Sequence, residues 1–358
     1  YEIHERLVGS EMCIRDSSDT YDTDASVPFH RSSYNPEYRT NRSDVMPSGT
    51  APCKAECPAH IPVQGYIKLA SLGRYTEALE LIKKENPFPA VCGRICNKRC
   101  EDACTRGSVD EPLSIDEIKK FIAEQDMKDE HRYIPPMNSC TMAPFEQKIA
   151  IIGAGPAGMS CAYFLAIEGY KPTVFEKEAA PGGMLVNGIP NFRVDKATVN
   201  SEIDVLREMG VEFRCGVEVG KDVTIAQLRE EGYKAFYVAV GLQTASKLGI
   251  EGEDLKGVTG GLDLLRAFNR GELTELKGDT IVIGGGNAAI DVARTAVRLG
   301  EGSVSIYCLE KDEEMPTVPD EKNAGIADGV VINNCWGPKR IIGKNGKVTG
   351  VEFMRCTS

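Results

Sequence analysis

The sequence lacks two features that would define broad classes of protein. It has no excess of positive charge, because its 358 residues include 42 Lys and Arg against 53 Asp and Glu, a net charge of −11. Phosphate backbones and anionic membrane surfaces repel such a chain, so no nucleic-acid partner is expected. It also has no apolar run close to the roughly 18 residues of a membrane-spanning helix. Since 42% of its residues are hydrophobic, a buried core and an intracellular, soluble protein are predicted.

Paired redox cysteines are also missing beside the two glycine motifs described below. No C-x2-C or C-x4-C pair follows either motif, so a mechanism like that of thioredoxin reductase or glutathione reductase is disfavoured. Yet the chain contains 13 Cys and 36 Gly. Reducing cytosol seldom uses so many thiols without metal or redox chemistry, and disulfide frameworks suit small secreted domains. The cysteines therefore predict a cytoplasmic protein with a metal or redox site.

Changes in composition divide the chain into four segments. Residues 1–50 are predicted to be a disordered leader, of which about the first 17 resemble translated sequencing-adaptor read-through. Residues 51–130 carry helical patterns and six cysteines. Residues 145–278 and 279–358 alternate short β-branched runs with helical patterns, which is typical of parallel α/β units. The abrupt ends predict a fragment, in which the second unit is truncated and the C-terminal part of the first is missing.

The six cysteines of the helical segment have a spacing that suits metal ligation. They are Cys53, Cys57, Cys92, Cys96, Cys100 and Cys104. If the last four lie in one helix, steps of four residues place Cys92, Cys96 and Cys100 on one face. Cys57 is the natural fourth ligand, because it precedes a proline as cysteines at iron–sulfur sites often do. Thiolates favour an Fe–S cluster or zinc; the repeated C-x3-C spacing is unusual for zinc, and buried structural thiols are the remaining alternative.

Two dinucleotide-binding fingerprints follow predicted strands. GAGPAG at residues 153–158 lies between a strand and a helical pattern, and Glu176 lies about 20 residues further on, at the end of the next strand. The glycines allow a tight turn and close approach to a pyrophosphate, and the acid is placed to bind a ribose hydroxyl. GGGNAA at residues 284–289 repeats this construction. Two units predict two dinucleotides, a flavin and a nicotinamide, with a degenerate structural copy as the alternative for the second unit.

Further motifs occur in the order of a known family. Pro181-Gly-Gly183, Gly188-Ile-Pro190 and Met315-Pro316 accompany the cysteine pattern and both fingerprints. The chain thereby resembles the small subunit of glutamate synthase and related FAD-dependent NAD(P)H oxidoreductases. Its cysteine segment also resembles the N-terminal domain of dihydropyrimidine dehydrogenase. The resemblance implies an α/β fold with two Rossmann-like units, for FAD and then NAD(P)H, preceded by a small helical [4Fe–4S] domain.

The resemblance also implies the residues of each site. FAD would be held by Gly153, Gly155, Pro156, Ala157, Gly158, Glu176, Gly182, Gly183, Leu185 and Gly241, with Val219 near the adenine. The nicotinamide nucleotide would be held by Gly284, Gly285, Gly286, Asn287, Ala288, Asp291 and Glu310. One [4Fe–4S] cluster would be held by Cys57, Cys92, Cys96 and Cys100, while Cys53 and Cys104 match two of the four ligands of a second cluster. The other two ligands lie upstream in the family, where residues 46–52 contain no cysteine.

One departure from the family concerns the choice of coenzyme. NADPH-using relatives carry paired arginines after the tyrosine of the outer strand of the second unit, where they meet the 2′-phosphate. Here Tyr307 is followed by Cys308, Leu309 and Glu310. A carboxylate without arginines favours the free 2′-hydroxyl of NADH.

The resemblance implies an oxidoreductase that moves hydride between NAD(P)H and FAD and single electrons between FAD and the cluster. The two organic cofactors carry the hydride chemistry, so no catalytic protein residue is required. A redox partner subunit or a ferredoxin-like acceptor would exchange electrons with the cluster, which predicts a hetero-oligomer. The alternatives are the glutamate synthase small subunit itself and, from another class, a non-catalytic scaffold that binds zinc and a nucleotide.

Overall fold

The computed structural model describes residues 50–138 and 147–357. The predicted leader before residue 50 and residues 139–146, between the helical segment and the first α/β unit, lie outside the described residues. Cys13 and Cys140 lie outside them as well. No helix in the two described ranges is long and apolar enough to cross a membrane.

Short α-helices around one apolar core form the first part. They are α1 (Pro52–Ala55), α2 (Val63–Ser71), α3 (Tyr75–Lys83), α4 (Pro89–Ile95), α5 (Arg99–Asp102) and α6 (Ile115–Lys128), with a 3₁₀ turn at Thr105–Ser108. The sequence between Tyr66 and Lys84 has a helical pattern, but the structure divides it into α2 and α3. Gly73 lies just beyond the end of α2 and has a φ of +73°, as glycines after helix ends commonly do. Buried Tyr66, Ile82 and Ile122 bring α2, α3 and α6 together.

A parallel sheet forms the first α/β unit. Its elements are β1 (Lys148–Ile152), α7 (Pro156–Ile167), β2 (Thr173–Glu176), α8 (Met184–Asn187), α9 (Lys196–Glu208), β3 (Glu212–Cys215), α10 (Ile225–Glu230) and β4 (Tyr233–Val238). The strands lie in the order β3-β2-β1-β4. Ile152 pairs with Phe175, so β1 and β2 end side by side. The first glycine loop and Glu176 therefore share the carboxyl edge of the sheet, where α/β folds bind ligands.

A second parallel sheet follows, with an antiparallel hairpin after it. The elements are α11 (Gly261–Asn269), β5 (Thr280–Ile283), α12 (Asn287–Leu299), β6 (Val304–Tyr307), α13 (Pro319–Ala327), β7 (Val331–Asn333), β8 (Trp336–Lys344) and β9 (Lys347–Arg355), with a 3₁₀ turn at Asp312–Glu314. The sheet has the order β5-β6-β7. Asn345 and Gly346 join β8 to β9 with φ of +54° and +74°, as their sequence predicts for a two-residue hairpin turn. The predicted α/β class is confirmed.

Candidate cofactor sites

The first glycine loop contains one glycine that faces open space between two that do not. A Cβ on Gly153, where φ is +107°, would lie 2.3 Å from the Ala239 carbonyl oxygen, and one on Gly158 would lie 1.9 Å from that of Gly153. A Cβ on Gly155 would meet nothing within 4 Å. Gly153 and Gly158 are thus required by packing, whereas Gly155 leaves room for a ligand.

That room lies directly at the start of α7. Gly155 is the N-cap residue, no side chain accepts a hydrogen bond from the first turn, and the first turn contains no acidic residue. Pro156 and Ala157 are exposed beside it. Free backbone amides and the positive end of a helix bind phosphate groups, so the structure has an anion cradle where the sequence predicts the FAD pyrophosphate.

Glu176 holds this loop against the end of β2. The side chain is buried, its Oε2 accepts a hydrogen bond from the Ala154 backbone N–H at 2.7 Å, and its Oε1 accepts one from the Glu178 backbone N–H at 2.9 Å. The hydrogen bond from Ala154, which fixes the glycine loop, is a second role for Glu176 beside the predicted contact with the ribose. Each carboxylate oxygen retains a further acceptor site, so a ribose hydroxyl can also bind there.

The Pro181-Gly-Gly motif lies over the first glycine loop. The Gly182 N–H donates to the Ala154 carbonyl at 2.8 Å, and a Cβ on Gly183 would lie 2.7 Å from the Gly155 Cα. Glycine is required at both positions, since φ is +124° and +53°. Leu185, also a predicted FAD residue, is buried in the core of this unit.

Two other predicted FAD residues lie on the neighbouring loops. The loop after β3 contacts the acid of β2, because the Val217 N–H donates to the Glu176 carbonyl at 2.9 Å. Val219 follows in this loop and pairs with Val223. Gly241 lies beyond β4, with a φ of +69° and open space where a Cβ would stand.

The second glycine loop repeats the open cradle. Gly284 has a φ of +136°, and Gly286 is the N-cap of α12, with no side-chain cap and nothing within 4 Å of the position that a Cβ would take. Ala288 is exposed in the first turn. A Cβ on Gly285 would lie 2.8 Å from the Glu310 Oε2. The carboxylate that the sequence singles out for coenzyme choice therefore lies directly against the loop.

Asn287 and Asp291 both bond to protein groups. Asn287 Oδ1 accepts hydrogen bonds from the Thr317 hydroxyl at 2.7 Å and the Val318 N–H at 2.9 Å. Asp291 forms a buried ion pair with Arg193 of the first unit, in which Nη1 and Oδ2 are 2.7 Å apart. Burial outweighs this pairing and raises the pKa of Asp291 to about 6. Arg193, which also pairs with Glu321, was not singled out in the sequence.

The cysteine segment is not one continuous helix, which is the condition under which the four-residue spacing would place three cysteines on one face. Helix α4 ends at Ile95, Cys96 is extended with φ −68° and ψ 139°, and Lys98 is left-handed with φ +55° before α5 begins. The one-face argument for Cys92, Cys96 and Cys100 is therefore wrong in its geometry. Within this turn the Lys98 N–H donates a hydrogen bond to the Cys96 Sγ at 3.4 Å.

Burial divides the six cysteines into two groups. Cys53 and Cys104 are buried, whereas Cys57, Cys92, Cys96 and Cys100 are half-buried. Burial raises the pKa of Cys92 to about 11 and that of Cys100 to about 12. Thiols of this kind become ligands only when a metal displaces their protons.

The four half-buried cysteines fit a cluster in their donor chemistry. They supply soft ligands only, and a backbone N–H already points at one sulfur, as around Fe–S clusters. In the described part of the chain, no three or more His, Cys, Asp or Glu side chains gather closely enough to hold one metal ion. A cubane cluster is wider than a single ion and needs wider ligand spacing.

Helix α4, which contains Cys92 and is called the cysteine helix below, is held against the first α/β unit. The Val91 N–H of α4 donates to the Glu202 Oε2 of α9 at 3.3 Å, and the Lys83 Nζ lies 4.0 Å from the Glu202 Oε1. Both charged side chains are almost fully buried. Burial raises the pKa of Glu202 to about 6 and lowers that of Lys83. Arg94 of α4 adds a contact of 3.7 Å to Asp195.

Comparison with known families agrees with this arrangement. Residues 40–131 match the dihydropyrimidine dehydrogenase domain II, 4Fe-4S cluster family, and residues 147–346 match the pyridine nucleotide-disulphide oxidoreductase family. Both matches confirm the predicted fold class and the predicted 4Fe-4S domain.

Curated relatives carry the same combination. The NADP(+)-dependent formate dehydrogenase subunit beta of Moorella thermoacetica is 37% identical over 329 residues, which are 86% of this chain and 46% of that protein. The NADPH-Fe(3+) oxidoreductase subunit beta of Geobacter sulfurreducens is 37% identical over 312 residues, again 86% and 46%. The glutamate synthase [NADPH] small chain of Escherichia coli is 34% identical over 321 residues, 86% of this chain and 67% of that protein. The chain thus spans about half the length of the first two relatives. All three are named for NADP(+) or NADPH, which gives no support to the predicted preference for NADH.

Proposed function

Because the chain belongs to the pyridine nucleotide-disulphide oxidoreductase family, we propose that it is the part of an oxidoreductase that exchanges electrons between NAD(P)H, FAD and a [4Fe–4S] cluster. The observation that carries the proposal is the pair of matching cradles at Gly155 and Gly286. Each leaves open space at an uncapped helix N-terminus. A chain with one degenerate copy would need only one such cradle.

The residues of each cradle bind and orient rather than react. When bound, flavin and nicotinamide supply the hydride chemistry, and flavin also exchanges single electrons. The amides after Gly155 and Gly286 would hold the two pyrophosphates, and Glu176 would hold the FAD ribose while bracing the loop. Gly183 brings its backbone against Gly155 and so would form one wall of the first cradle.

For the metal site, we propose one [4Fe–4S] cluster on Cys57, Cys92, Cys96 and Cys100. The half-burial of these four thiols supports this choice, and the full burial of Cys53 and Cys104 sets those two apart. The domain division at residues 51–130, 145–278 and 279–358 is part of the same proposal; α11, which precedes residue 279, packs in the core of the second unit. A location in the reducing cytoplasm, where thiols persist, is proposed as well.

For the coenzyme, we propose NADH in spite of the names of the relatives. Glu310 places its carboxylate beside Gly285, at the edge where a nucleotide ribose lies in Rossmann units. A 2′-phosphate would meet this negative charge, and the two preceding residues, Cys308 and Leu309, offer no arginine. A free 2′-hydroxyl would instead donate to it.

For the partner, we propose a second redox subunit that exchanges electrons with the cluster. The curated relatives named as beta subunits and as a small chain support this assignment. Glutamate synthase small-chain activity is the second candidate. It is supported by the similarity to the Escherichia coli small chain, of which this chain covers 67%. Co-purification with a glutamate synthase large subunit would distinguish it.

The decisive experiment uses the whole natural protein that contains this chain, purified without oxygen. Flavin, iron and acid-labile sulfide are measured, and NADH and NADPH are then rapidly mixed with the protein side by side. We expect one FAD and about four irons per chain for one cluster, with flavin bleaching faster in NADH. Zinc without sulfide, together with no flavin absorbance, would instead establish the scaffold alternative.

A further inference from the structure

A buried lysine lies beside the proposed cluster ligands. Lys119 of α6 and its partner Asp116 have side chains only 8% and 3% exposed, and the Lys119 Nζ lies 2.6 Å from the Asp116 Oδ1. A buried ammonium group is costly unless it has a partner or a function. One carboxylate satisfies the charge but leaves two of the three ammonium protons for other acceptors.

Helix packing brings this lysine to the cysteines. Helices α4 and α6 touch at Gly93, where a Cβ would lie 2.6 Å from the Lys120 Cβ and 2.9 Å from its Cα. Glycine at this position allows the closest approach of the two backbones. Since Cys92 precedes Gly93 and Lys119 precedes Lys120, the same crossing brings the backbones at Cys92 and Lys119 close to each other.

The Lys119–Asp116 pair is also fixed beside the residue that follows Cys100. The Asp116 backbone N–H donates to the Glu101 Oε1 at 2.8 Å, so the start of α6 is held against α5, the helix that contains Cys100. The lysine is therefore a fixed positive charge in a setting of low dielectric, where charges interact strongly.

From this arrangement we infer that Lys119 sets the reduction potential of the cluster, with Asp116 as its positioning residue. The inference rests on the proposed function. Net charge, hydrogen bonding and exposure determine Fe–S potentials. Reduction would add one negative charge to a cluster held by these cysteines, and a nearby buried cation would stabilise that charge. Lys119 therefore raises the potential, and Asp116 moderates that effect by partial neutralisation.

The test is an anaerobic redox titration of the whole protein, monitored by the electron paramagnetic resonance of the reduced cluster. Lys119→Met should shift the midpoint potential to more negative values, and Lys119→Arg should restore it. Asp116→Asn should shift it the other way, because the lysine charge is no longer offset. Lys120→Met, the neighbouring position, is the matched control and should leave the potential unchanged.

Opposite shifts in the Met and Asn variants cannot come from a merely structural role. An iron-replete Lys119→Met protein with the potential of the parent would overturn the inference and leave the proposed function intact. If the Lys119→Met protein fails to assemble a cluster, the Asp116→Asn protein provides the test. An unchanged or more negative midpoint potential in that variant would also overturn the inference. Parent protein without iron and sulfide would remove both the proposed function and this inference.

Discussion

Substitution of Gly155 by alanine should strongly weaken flavin binding without unfolding the protein. The backbone there has φ −78° and ψ −179°, which any residue adopts, and the added methyl would meet no protein atom within 4 Å. Alanine is a slightly poorer N-cap than glycine but restricts the unfolded chain, so the two effects on stability are below about 1 kcal/mol and oppose each other. The methyl would instead occupy the space proposed for the pyrophosphate.

The loss of affinity follows from the hydrogen bonds that the methyl prevents. Hydrogen bonds to charged groups contribute about 1.5–3 kcal/mol each. Loss of one or two amide contacts therefore costs about 3 kcal/mol, which weakens the FAD Kd roughly a hundredfold. Flavin fluorescence on titration of the apoprotein measures this directly, and circular dichroism on heating reports the stability of the same sample.

Three further glycines make the experiment specific. Gly286→Ala should leave FAD bound but weaken the nicotinamide nucleotide, because that cradle is equally open. Gly350→Ala, in strand β9 with open space and no cofactor role, should change neither. Gly158→Ala should lower stability itself, since its Cβ would lie 1.9 Å from the Gly153 carbonyl oxygen. A Gly155→Ala protein with full flavin content and the parent Kd would refute the cradle.

Three other substitutions test the remaining contacts. Glu310→Gln replaces a charge-assisted hydrogen bond by a neutral one, so steady-state kinetics should show the NADH-to-NADPH ratio of kcat/KM falling roughly tenfold; an unchanged ratio contradicts the coenzyme assignment. Burial raises the pKa of Asp291 from 3.8 to about 6, so its protonation stabilises the fold below pH 3.8 and that gain is lost as pH rises through 6. Urea unfolding should therefore show the parent gaining about 2 kcal/mol over Asp291→Asn between neutral pH and pH 4, and parallel pH curves would rule this out. Glu202→Ala leaves Lys83 buried without its counter-charge, so thermal unfolding should show the free energy of unfolding lowered by about 3–5 kcal/mol. Glu208 is exposed on the same helix, and Glu208→Ala should leave that free energy almost unchanged.

Local signals predicted most of the fold. The strand before each glycine loop, the helix after it and the hairpin turn at Asn345-Gly346 all lie where the sequence places them. Each depends on a few adjacent residues, such as glycine at a position of positive φ or an alternation of β-branched and helical patterns. The glycine loops and Glu310 could be found in the same way, because a cradle for phosphate is a local property of backbone.

Contacts between distant segments could not be found. Asp291 fits a nucleotide-binding helix by its position, but its partner Arg193 lies 98 residues away and in the other unit. The spacing of the cysteines could not predict their arrangement for a different reason. A repeat of one residue type every four positions is compatible with a helix, yet it says nothing of the backbone at Cys96 and Lys98, where an extended and a left-handed residue form a turn.

One short stretch of the first α/β unit connects it to both of its neighbours. In residues 193–202, Arg193 forms an ion pair with Asp291 of the second unit. Glu202 accepts a hydrogen bond from the Val91 N–H in the first turn of the cysteine helix. The two neighbours also touch each other, since the Lys98 Nζ of the cysteine turn lies 3.1 Å from Asp320 of α13. The proposed electron route from nicotinamide through flavin to a cluster crosses all three parts of the chain. The buried ion pairs of Arg193 and Glu202 hold these parts in position, because a displacement of one unit would leave a charge unpaired in the interior.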